Sequence, residues 1–372
     1  MKFAVITHVN HILQANDYFG YAPYVNEMNI WFKYVDEVII VAPIKNGVPT
    51  AIESAYKHEK IDFRKVPDFS FTSFSRIFSS IFKLPIIFWK VYFAMKNADH
   101  IHLRCPGNMG LVGCFVQVLF PNKTKTAKYA GNWDSQSKQP FTYNIQKWIL
   151  NNTFLTRNME VLVYGNWKNQ TKNIKPFFTA TYSESEKEII VKESLNSEIN
   201  FVFVGSLVSG KNPLYAIKLV EKLARNGKSV ILNLYGEGAE KESLKNYIQE
   251  NNLQNFVILH GNKNKEVIKK AYQQSHFVIL PSKSEGWPKA IAEAMFWGCV
   301  PIATKISCVP FMLDFGNRGI LLEMDLNRDI DEIESIIFHE NNLKNKSILA
   351  QSWSQNYTLE LFETEIKKLL LK

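Results

Sequence analysis

Cysteines and long apolar runs are both scarce in this sequence. Only four of its 372 residues are cysteines, and no two are spaced as Cys-x-x-Cys. We therefore expect no metal or redox motif and interpret Cys105, Cys114, Cys299 and Cys308 as reduced core thiols. No stretch reaches the ~18 uninterrupted apolar residues of a membrane-spanning helix. Since the first residues also lack the apolar core of a secretory signal, we expect a cytoplasmic protein that does not cross a membrane.

Acidic residues are scarce in the first half of the chain. The sequence has 44 Lys and Arg against 35 Asp and Glu, a formal net charge of +9. Residues 1–185 hold 21 basic and 12 acidic side chains, whereas residues 186–372 hold 23 of each. The whole excess of positive charge therefore belongs to the first half.

One segment of that half, residues 69–97, contains no acidic residue. Aromatic and aliphatic side chains surround its cations, and Pro85 is expected to break or begin a helix there. Basic residues beside exposed aromatics suit an anionic membrane surface, which predicts peripheral contact with such a membrane. The alternative is that the aromatics form a domain core beneath a solvated lysine stripe. No nucleic-acid-binding motif accompanies the cations, so nucleic acid is not the expected partner. The cations are Arg76, Lys83, Lys90 and Lys96.

Short apolar segments alternate with amphipathic segments throughout the second half. The apolar segments are rich in β-branched and aromatic residues, which predicts strands at 201–204, 230–234, 256–259, 277–280 and 300–303. Helical spacing lies between them, at 214–224, 240–248, 266–275 and 290–296. Pro213 and Pro288 are expected at first helical positions. The alternation predicts a parallel sheet that helices cover on both faces.

The first half repeats this pattern less regularly, with predicted strands at 3–7, 38–41, 100–103, 126–130 and 161–164. The predicted fold class is therefore α/β, with two doubly wound Rossmann-like domains that face each other across a cleft. We place the domains at residues 1–185 and 200–355, with a polar linker at 183–199 and a final amphipathic helix at 356–372. Ligands of such sheets bind at the carboxyl ends of the strands, so we expect the site in the cleft.

The segment 281–295 carries the most specific chemistry in the sequence. It is predicted to connect a strand to a helix, and the N–H groups of Gly286 and Trp287 at the helix start would form an anion site. Glu285 lies at the mouth of this helix, and Glu293 lies ~7–8 Å further along its axis. Two carboxylates on either side of a phosphate-binding turn suit a nucleotide-sugar, one for the sugar hydroxyls and one for the ribose. The alternative is a capping glutamate and a solvated helix face.

This glutamate pair resembles the Glu-x7-Glu motif of family 4-type retaining glycosyltransferases, which have the two-domain GT-B fold. The matching residues are Glu285, Gly286, Glu293, Ala294 and Gly298. The resemblance covers most of residues 200–325. It implies that Glu285 contacts the donor sugar, that Glu293 contacts the ribose, and that the final helix crosses back to the first domain. It implies no metal and no cofactor beyond a nucleotide diphosphate-sugar as donor substrate.

A glycine-rich segment supports the donor site. Lys211 matches a lysine that faces the donor pyrophosphate in the family, whereas Ser206 stands where the family has arginine. The segment also resembles a P-loop, but Asn212 replaces the hydroxyl that would bind Mg²⁺, so we do not favour that interpretation. Gly236 and Asn262 close strands where the family builds its nucleobase pocket, although glycines at strand ends also serve simply as turn formers. The predicted donor-side residues are Gly205, Ser206, Lys211, Gly236, Asn262, Glu285, Gly286, Trp287 and Glu293, with Glu285 and Lys211 as the catalytic candidates.

Four residues of the first half are candidates for the acceptor side. His102 resembles the histidine near the end of a family strand, although a structural strand histidine is the alternative. After the next predicted strand, many family members carry a histidine, and this sequence instead has Asn132, Trp133 and Asp134. The amide and carboxylate can bond sugar hydroxyls, and the indole can stack on a pyranose face.

The resemblance implies a retaining glycosyltransferase of hexosyltransferase type that acts in cell-surface polysaccharide or lipopolysaccharide synthesis. Its partners would be a nucleotide-sugar donor, a glycan or lipid-linked acceptor, and the anionic inner face of the plasma membrane. Two alternatives stay open. A nucleotide-sugar epimerase can share this architecture, and Ser206 would also fit a catalytically silent relative.

Overall fold

The computed structural model describes residues 1–50, 52–67, 69, 74–192 and 198–371. It contains two compact units, one formed by Met1–Phe177 with Glu363–Lys372 and the other by Phe178–Phe362. Each unit has a parallel β-sheet with helices, which confirms the predicted α/β class with two doubly wound domains.

Seven parallel strands form the main sheet of the first unit. They are β1 (Lys2–Ile6), β4 (Glu37–Pro43), β6 (Ile61–Val66), β7 (His100–Cys105), β8 (Thr124–Tyr129), β9 (Met159–Tyr164) and β10 (Ile174–Phe177). Their order across the sheet is β10-β9-β8-β7-β1-β4-β6, so the direction of winding reverses at β1. A small antiparallel sheet contains β2 (Ile12–Gln14), β3 (Asp17–Tyr21) and β5 (Glu53–Ala55).

Helices cover both faces of this sheet because right-handed crossovers change sides where the winding reverses. They are α1 (Ala22–Phe32), α2 (Phe74–Asn97), α3 (Asn108–Val116) and α4 (Phe141–Leu150). On one face, Trp31 of α1 stacks on Phe3 of β1 with ring centroids 5.7 Å apart. On the other face, α2, α3 and α4 pack on a core that includes Ile6 and Val41.

Pro85 lies inside α2, so the expectation that it would break or begin a helix is wrong. An internal proline costs ~3 kcal/mol in lost hydrogen bonding and steric conflict. The residues that follow it, including Ile87 and Val91, are fully buried against the sheet. Burial of such side chains contributes ~1.5–3 kcal/mol each, which outweighs the cost of the proline.

The second unit contains a six-stranded parallel sheet. Its strands are β11 (Ile199–Val204), β12 (Val230–Tyr235), β13 (Val257–Gly261), β14 (Phe277–Leu280), β15 (Val300–Thr304) and β16 (Ile320–Leu322). Its helices are α5 (Pro213–Arg225), α6 (Lys241–Glu250), α7 (Lys265–Gln274), α8 (Lys289–Phe296), α9 (Val309–Met312), α10 (Leu326–Phe338) and α11 (Glu340–Ser354). The last helix, α12 (Leu359–Leu370), begins in this unit, and its residues from Glu363 onward belong to the first unit. The strand order is β13-β12-β11-β14-β15-β16, the doubly wound arrangement that the alternating pattern predicted.

Most predicted elements agree with these bounds to within two residues. Pro213 is the first residue of α5 as expected, whereas Pro288 immediately precedes α8 instead of opening it. The short edge strands β10 and β16 were missed, because three or four residues carry too little periodicity to be detected. In the predicted linker, Ser183 caps a short turn, and residues 193–197 lie outside the described part of the chain.

The four cysteines are buried and free, as the sequence predicted. Within the described ranges, no helix is both long and apolar enough to span a bilayer.

Candidate donor site

The carboxyl ends of the strands in the second unit form one edge of its sheet. β11 lies between β12 and β14, so the loops that follow these three strands start side by side. The predicted donor-side residues fall in the loops at this edge: Gly205, Ser206 and Lys211 after β11, Gly236 after β12, Asn262 after β13, and Glu285 after β14. The sheet topology therefore gathers residues that are far apart in the sequence.

Close backbone packing holds the first two loops together. Gly236 has a φ of 152°, and a Cβ there would lie 1.9 Å from the carbonyl oxygen of Gly205. A Cβ on Gly238 would lie 2.3 Å from the carbonyl oxygen of Leu207. The Leu207 N–H also donates to the Glu237 carbonyl at 2.9 Å. Because no side chain fits between these segments, the glycines are required for the approach of the two loops.

An ion pair joins the loop after β11 to the loop after β14. Lys211 Nζ donates to Glu285 Oε1 at 2.5 Å, and 32% of the lysine side chain but only 8% of the glutamate side chain is exposed. The Lys283 N–H donates to the Gly210 carbonyl at 2.9 Å and joins the same loops. The buried carboxylate therefore fixes an ammonium that still has access to solvent, where it can meet an anion.

Helix α8 begins at Lys289, shortly after Glu285 in the sequence. The N–H groups of Ile291 and Ala292 donate to the Pro288 carbonyl at 3.0 and 3.2 Å, so the N–H groups before them are those that can face an anion, which the helix dipole favours at that end. The Gly286 carbonyl accepts from Cys308 Sγ at 2.9 Å. Trp287 is only 7% exposed, and its ring stacks on Trp353 with centroids 6.1 Å apart. The indole therefore anchors the turn, and the backbone N–H is the group that Trp287 can offer a ligand.

Glu293, within α8, has different surroundings from Glu285. Its carboxylate accepts from Thr181 Oγ1 at 2.7 Å and from Tyr272 OH at 3.5 Å. Burial raises its pKa, an effect that these hydroxyls and nearby Lys289 partly oppose. The carboxylate also lines a small pocket with Lys289. A carboxylate held by hydroxyl groups offers the contacts that a ribose diol would make.

Sequence reasoning missed an aromatic pair beside the predicted nucleobase residues. Tyr235, at the end of β12, stacks on His260 of β13 with ring centroids 4.4 Å apart and planes inclined by 7°. His260 Nε2 is hydrogen-bonded to Asn233 Oδ1 at 2.7 Å, and burial lowers the pKa of this imidazole. Asn262 follows and is exposed. The signal in the sequence was an aromatic residue at the same end of two neighbouring strands.

The predicted acceptor-side histidine lies in the core of the first unit. His102 is fully buried in β7, where Nδ1 is hydrogen-bonded to Thr126 Oγ1 at 2.9 Å. Its ring packs on Trp31 with centroids 4.7 Å apart, and burial lowers its pKa well below the ordinary value. Because a fully buried imidazole does not touch a glycan, this position argues against His102 as an acceptor-side residue. The buried position fits the alternative, in which His102 is a structural histidine of the strand.

The loop after β8 contains the other acceptor-side candidates. Trp133 is 5% exposed and its Nε1–H donates to Gln170 Oε1 at 3.0 Å, so its ring is not open to stack on a pyranose. The buried Asn132 side chain accepts from the Asp134 N–H at 2.9 Å, and Asp134 is half-buried. The burial of the indole contradicts the hypothesis that Trp133 stacks on a pyranose face. The acceptor roles of Asn132 and Asp134 stay predictions.

A buried cluster of charge in the first unit was also missed. Glu27 of α1 accepts from Arg104 of β7 at 2.8 Å and pairs with Lys128 of β8 at 2.9 Å. The exposed fractions of the three side chains are 5%, 13% and 1%. The signal was a single acidic residue in the otherwise uncharged helix α1. One carboxylate between two cations leaves an excess of positive charge near the carboxyl end of β7.

Within the part of the chain that the structure describes, no three His, Cys, Asp or Glu side chains are grouped to hold a metal ion. Asp329 opens an Asp-x-Asp sequence, but it is 1% exposed and accepts from Tyr215 OH at 2.5 Å and from the Glu323 N–H at 2.9 Å. These contacts make Asp329 a structural residue.

Comparison with known proteins finds similarity over the part of the chain that contains these residues. Residues 185–349 match the family model described as Glycosyl transferases group 1. An uncharacterized glycosyltransferase of Methanocaldococcus jannaschii is 26% identical over 204 residues, which are 54% of this chain and 56% of that protein. The UDP-Gal:alpha-D-GlcNAc-diphosphoundecaprenol alpha-1,3-galactosyltransferase of Escherichia coli is 28% identical over 183 residues, 48% of this chain and 46% of that protein. The chain spans about half the length of the curated relatives it matches.

Among solved structures, Anabaena HepE in complex with UDP and glucose has a TM-score of 0.67 and 16% identity, and the match covers 100% of this chain and 99% of that chain. At this identity the likeness shows the fold alone. The fold is that of the GT-B glycosyltransferases.

Proposed function

We propose that this chain is a glycosyltransferase that moves a sugar from a nucleotide diphosphate-sugar to a glycan or lipid-linked acceptor. The observation that carries the proposal is the contact between Lys211 and Glu285 at the carboxyl edge of a doubly wound sheet. Both residues lie in the segment 185–349 that matches the group 1 family model.

The donor diphosphate would lie between Lys211 and the start of α8. There the ammonium and the first-turn N–H groups neutralise the charge that develops on the leaving diphosphate, and such fixed electrostatics are usually the largest contribution to catalysis. Glu285 holds the ammonium and meets the sugar hydroxyls, while Glu293 meets the ribose. The packed loops with Gly205, Ser206 and Gly236 form the wall of the site, and Asn262 lies at the nucleobase end.

We propose that transfer retains the configuration of the anomeric carbon and that the sugar is a hexose. Glu285 is committed to Lys211 and is therefore not a free nucleophile. This supports attack from the face that the diphosphate leaves, with a donor phosphate oxygen taking the proton of the acceptor hydroxyl. The reaction so written needs no metal ion.

The acceptor side is proposed to include Asn132 and Asp134, and the acceptor to belong to cell-surface polysaccharide or lipopolysaccharide synthesis. The name of the Escherichia coli relative specifies a diphosphoundecaprenol acceptor, which is a membrane lipid. A lipid-linked acceptor would require the protein to work at the inner face of the plasma membrane.

Activity of site variants tests the donor assignment. A panel of nucleotide diphosphate-sugars identifies the donor by the rise in Tm that binding causes. With that donor, Lys211→Ala and Glu293→Ala should each lower donor hydrolysis and transfer by ~100-fold or more, the usual effect of removing one preorganised contact. Lys245→Ala, on the exposed face of α6, is the matched control and should keep full activity.

Undiminished activity in both site variants would show that the site is wrongly assigned. Proton NMR of the product tests retention through the configuration of the new glycosidic bond. A donor with a radioactive label on its sugar tests the alternative. If the label is recovered in an altered free nucleotide-sugar, the protein is an epimerase instead.

A further inference from the structure

The main sheet of the first unit has a reversal of winding where β7 lies beside β1. Ligands of doubly wound sheets bind outside the carboxyl ends of the strands at such a reversal. Arg104 is the last residue but one of β7, His8 follows β1, and Gly107 precedes α3. We call these three residues the switch region. The donor site described above belongs to the other unit and uses none of them.

A close approach of two loops forms the switch region. A Cβ on Gly107 would lie 2.7 Å from His8 Nδ1, and Gly107 has a φ of 151°. Glycine is therefore required for the imidazole to pack against the start of α3. His8 is exposed to solvent. Packing of its ring against the fold lowers its pKa, and the positive charge of Arg104 lowers the pKa further, so His8 is a neutral imidazole at pH 7.

Arg104 is fixed by two contacts but keeps most of its hydrogen-bond donors. Nη1 donates to Glu27 Oε1 at 2.8 Å, and the guanidinium lies over the Tyr24 ring, 5.4 Å from its centroid. Within the described ranges this is the one hydrogen bond of a group that has five N–H donors. The side chain is 13% exposed, so a ligand can reach it. Four donors in one rigid plane are therefore left for that ligand.

The ion pairs around Arg104 join one carboxylate to two cations. Glu27 also pairs with Lys128 Nζ at 2.9 Å, and the Lys128 side chain is 1% exposed. Burying a cation costs free energy unless an anion compensates it. The pair of Glu27 and Lys128 is balanced by itself, so Arg104 adds a positive charge at the more accessible position. The start of α3 lies at the same edge of the sheet, and its dipole has the same sign.

We propose that the switch region binds a phosphate group of the acceptor, and that Arg104 selects a phosphorylated acceptor over a neutral one. The planar N–H groups of a guanidinium match two phosphate oxygens, and the imidazole N–H of His8 supplies another donor. The phosphate belongs either to a lipid diphosphate or to a phosphorylated glycan. The description of the ligand as an acceptor rests on the proposed transfer reaction, whereas the binding of phosphate does not.

Calorimetric titration of the full chain with inorganic pyrophosphate tests the binding. The nucleoside diphosphate of the donor is present at saturation, so the donor site does not take up the probe. Arg104→Gln should weaken pyrophosphate binding at least about tenfold, the usual effect of losing a hydrogen bond between charged groups. Arg104→Lys should recover part of the affinity, because it restores the charge without the planar fork.

Two further variants make this titration decisive. Arg157→Gln is the matched control, because Arg157 is an exposed arginine of the same unit that precedes β9 at the opposite edge of the sheet. It should bind pyrophosphate as the unaltered chain does. Thermal unfolding is measured on every variant, and Arg104→Gln should stay folded because Lys128 still pairs with Glu27. If it does not fold, His8→Ala at an exposed position decides, with an expected loss of about threefold.

Acceptor kinetics identify the source of the phosphate. One acceptor sugar is compared as a methyl glycoside, as a sugar phosphate and as a short-chain lipid diphosphate. A low KM for both phosphorylated forms indicates a phosphorylated glycan, and a low KM for the lipid diphosphate alone indicates a lipid-linked acceptor. In either case Arg104→Gln should raise that KM at least about tenfold and leave donor hydrolysis unchanged.

Three outcomes would overturn the proposal. The first is equal pyrophosphate binding by Arg104→Gln and Arg157→Gln, or no binding by the unaltered chain. The second is a loss of affinity for the nucleoside diphosphate in Arg104→Gln, which would assign Arg104 to the donor. The third is an equal KM for all three acceptors. If instead no nucleotide-sugar binds and pyrophosphate binding still depends on Arg104, the proposed transfer reaction is wrong and the phosphate site stands.

Discussion

Replacing Gly236 with alanine tests whether the close packing of two loops holds the candidate site. The φ of 152° at Gly236 disfavours a side chain, and the new Cβ would lie 1.9 Å from the Gly205 carbonyl oxygen. Real Cβ contacts are essentially never shorter than 3.0 Å, so the loops would separate by at least about 1 Å in a close-packed region. The Gly205 N–H donates to the Tyr235 carbonyl at 3.0 Å across this contact, and the Gly236 N–H donates to the Gly261 carbonyl of β13 at 3.0 Å.

The expected cost of Gly236→Ala follows from these contacts. The unfavourable φ contributes ~1–2 kcal/mol. Overpacking contributes ~1–3 kcal/mol, and weakening a buried backbone hydrogen bond contributes ~1–3 kcal/mol. We therefore expect a loss of about 3–8 kcal/mol in the free energy of unfolding of the second unit. At ~2–4 °C per kcal/mol, its Tm should fall by about 6–32 °C.

Differential scanning calorimetry measures this fall in Tm, and two further glycines supply the controls. A Cβ on Gly210 meets nothing within 4 Å and its φ is not positive, so Gly210→Ala should change stability by less than ~1 kcal/mol. Gly227 has a φ of 81° in open space, so Gly227→Ala reports the backbone strain without the clash. The reasoning is refuted if Gly236→Ala costs no more than Gly227→Ala. Donor binding should also weaken in Gly236→Ala and persist in the two controls.

Two remaining predictions concern ionisable groups. Glu27→Gln should cost ~3–5 kcal/mol, because it leaves Arg104 and Lys128 buried without their carboxylate. Glu37→Gln, which breaks an exposed ion pair, should cost less than ~1 kcal/mol. Urea denaturation measures both changes, and equal losses would contradict the importance of burial. Because burial raises the pKa of Glu293, the native state binds its proton more tightly than the unfolded state, so this group destabilises the fold as pH rises from its ordinary pKa through the raised one. In that pH interval, the Tm of Glu293→Gln should therefore decline less steeply than the Tm of the unaltered chain. Parallel profiles of Tm against pH would argue against a raised pKa.

The elements that the sequence predicted well are those with strong local patterns. β11, β12, β14 and β15 are largely apolar runs between turn residues, and such runs are typical of strands that are buried on both faces of a parallel sheet. Pro85 was misread because local rules forbid a proline inside a helix, whereas the burial of α2 against the sheet overrides them. A proline rule describes an isolated helix, and tertiary packing decides the outcome.

In the candidate site, too, local motifs predicted some features, whereas tertiary packing decided others. Glu285 and Lys211 were chosen from motifs, and their direct contact depends on β11 and β14 being neighbours in the sheet. Trp133 was chosen for its chemistry and His102 for its resemblance to a family histidine, and both turned out to be buried. Residue type states what a side chain can do, but exposure depends on how distant segments pack over it.

By itself, the sequence determined that the chain forms two α/β units, and it predicted a turn whose glutamate pair suits a nucleotide-sugar. These follow from periodicity and spacing, which are local properties of the chain. The tertiary structure alone decided that Lys211 pairs with Glu285, that Glu27 binds two buried cations, and that α2 presents a second apolar side to solvent. Such features arise from contacts between residues far apart in the sequence, and no local pattern encodes which surface of a helix the rest of the fold leaves uncovered.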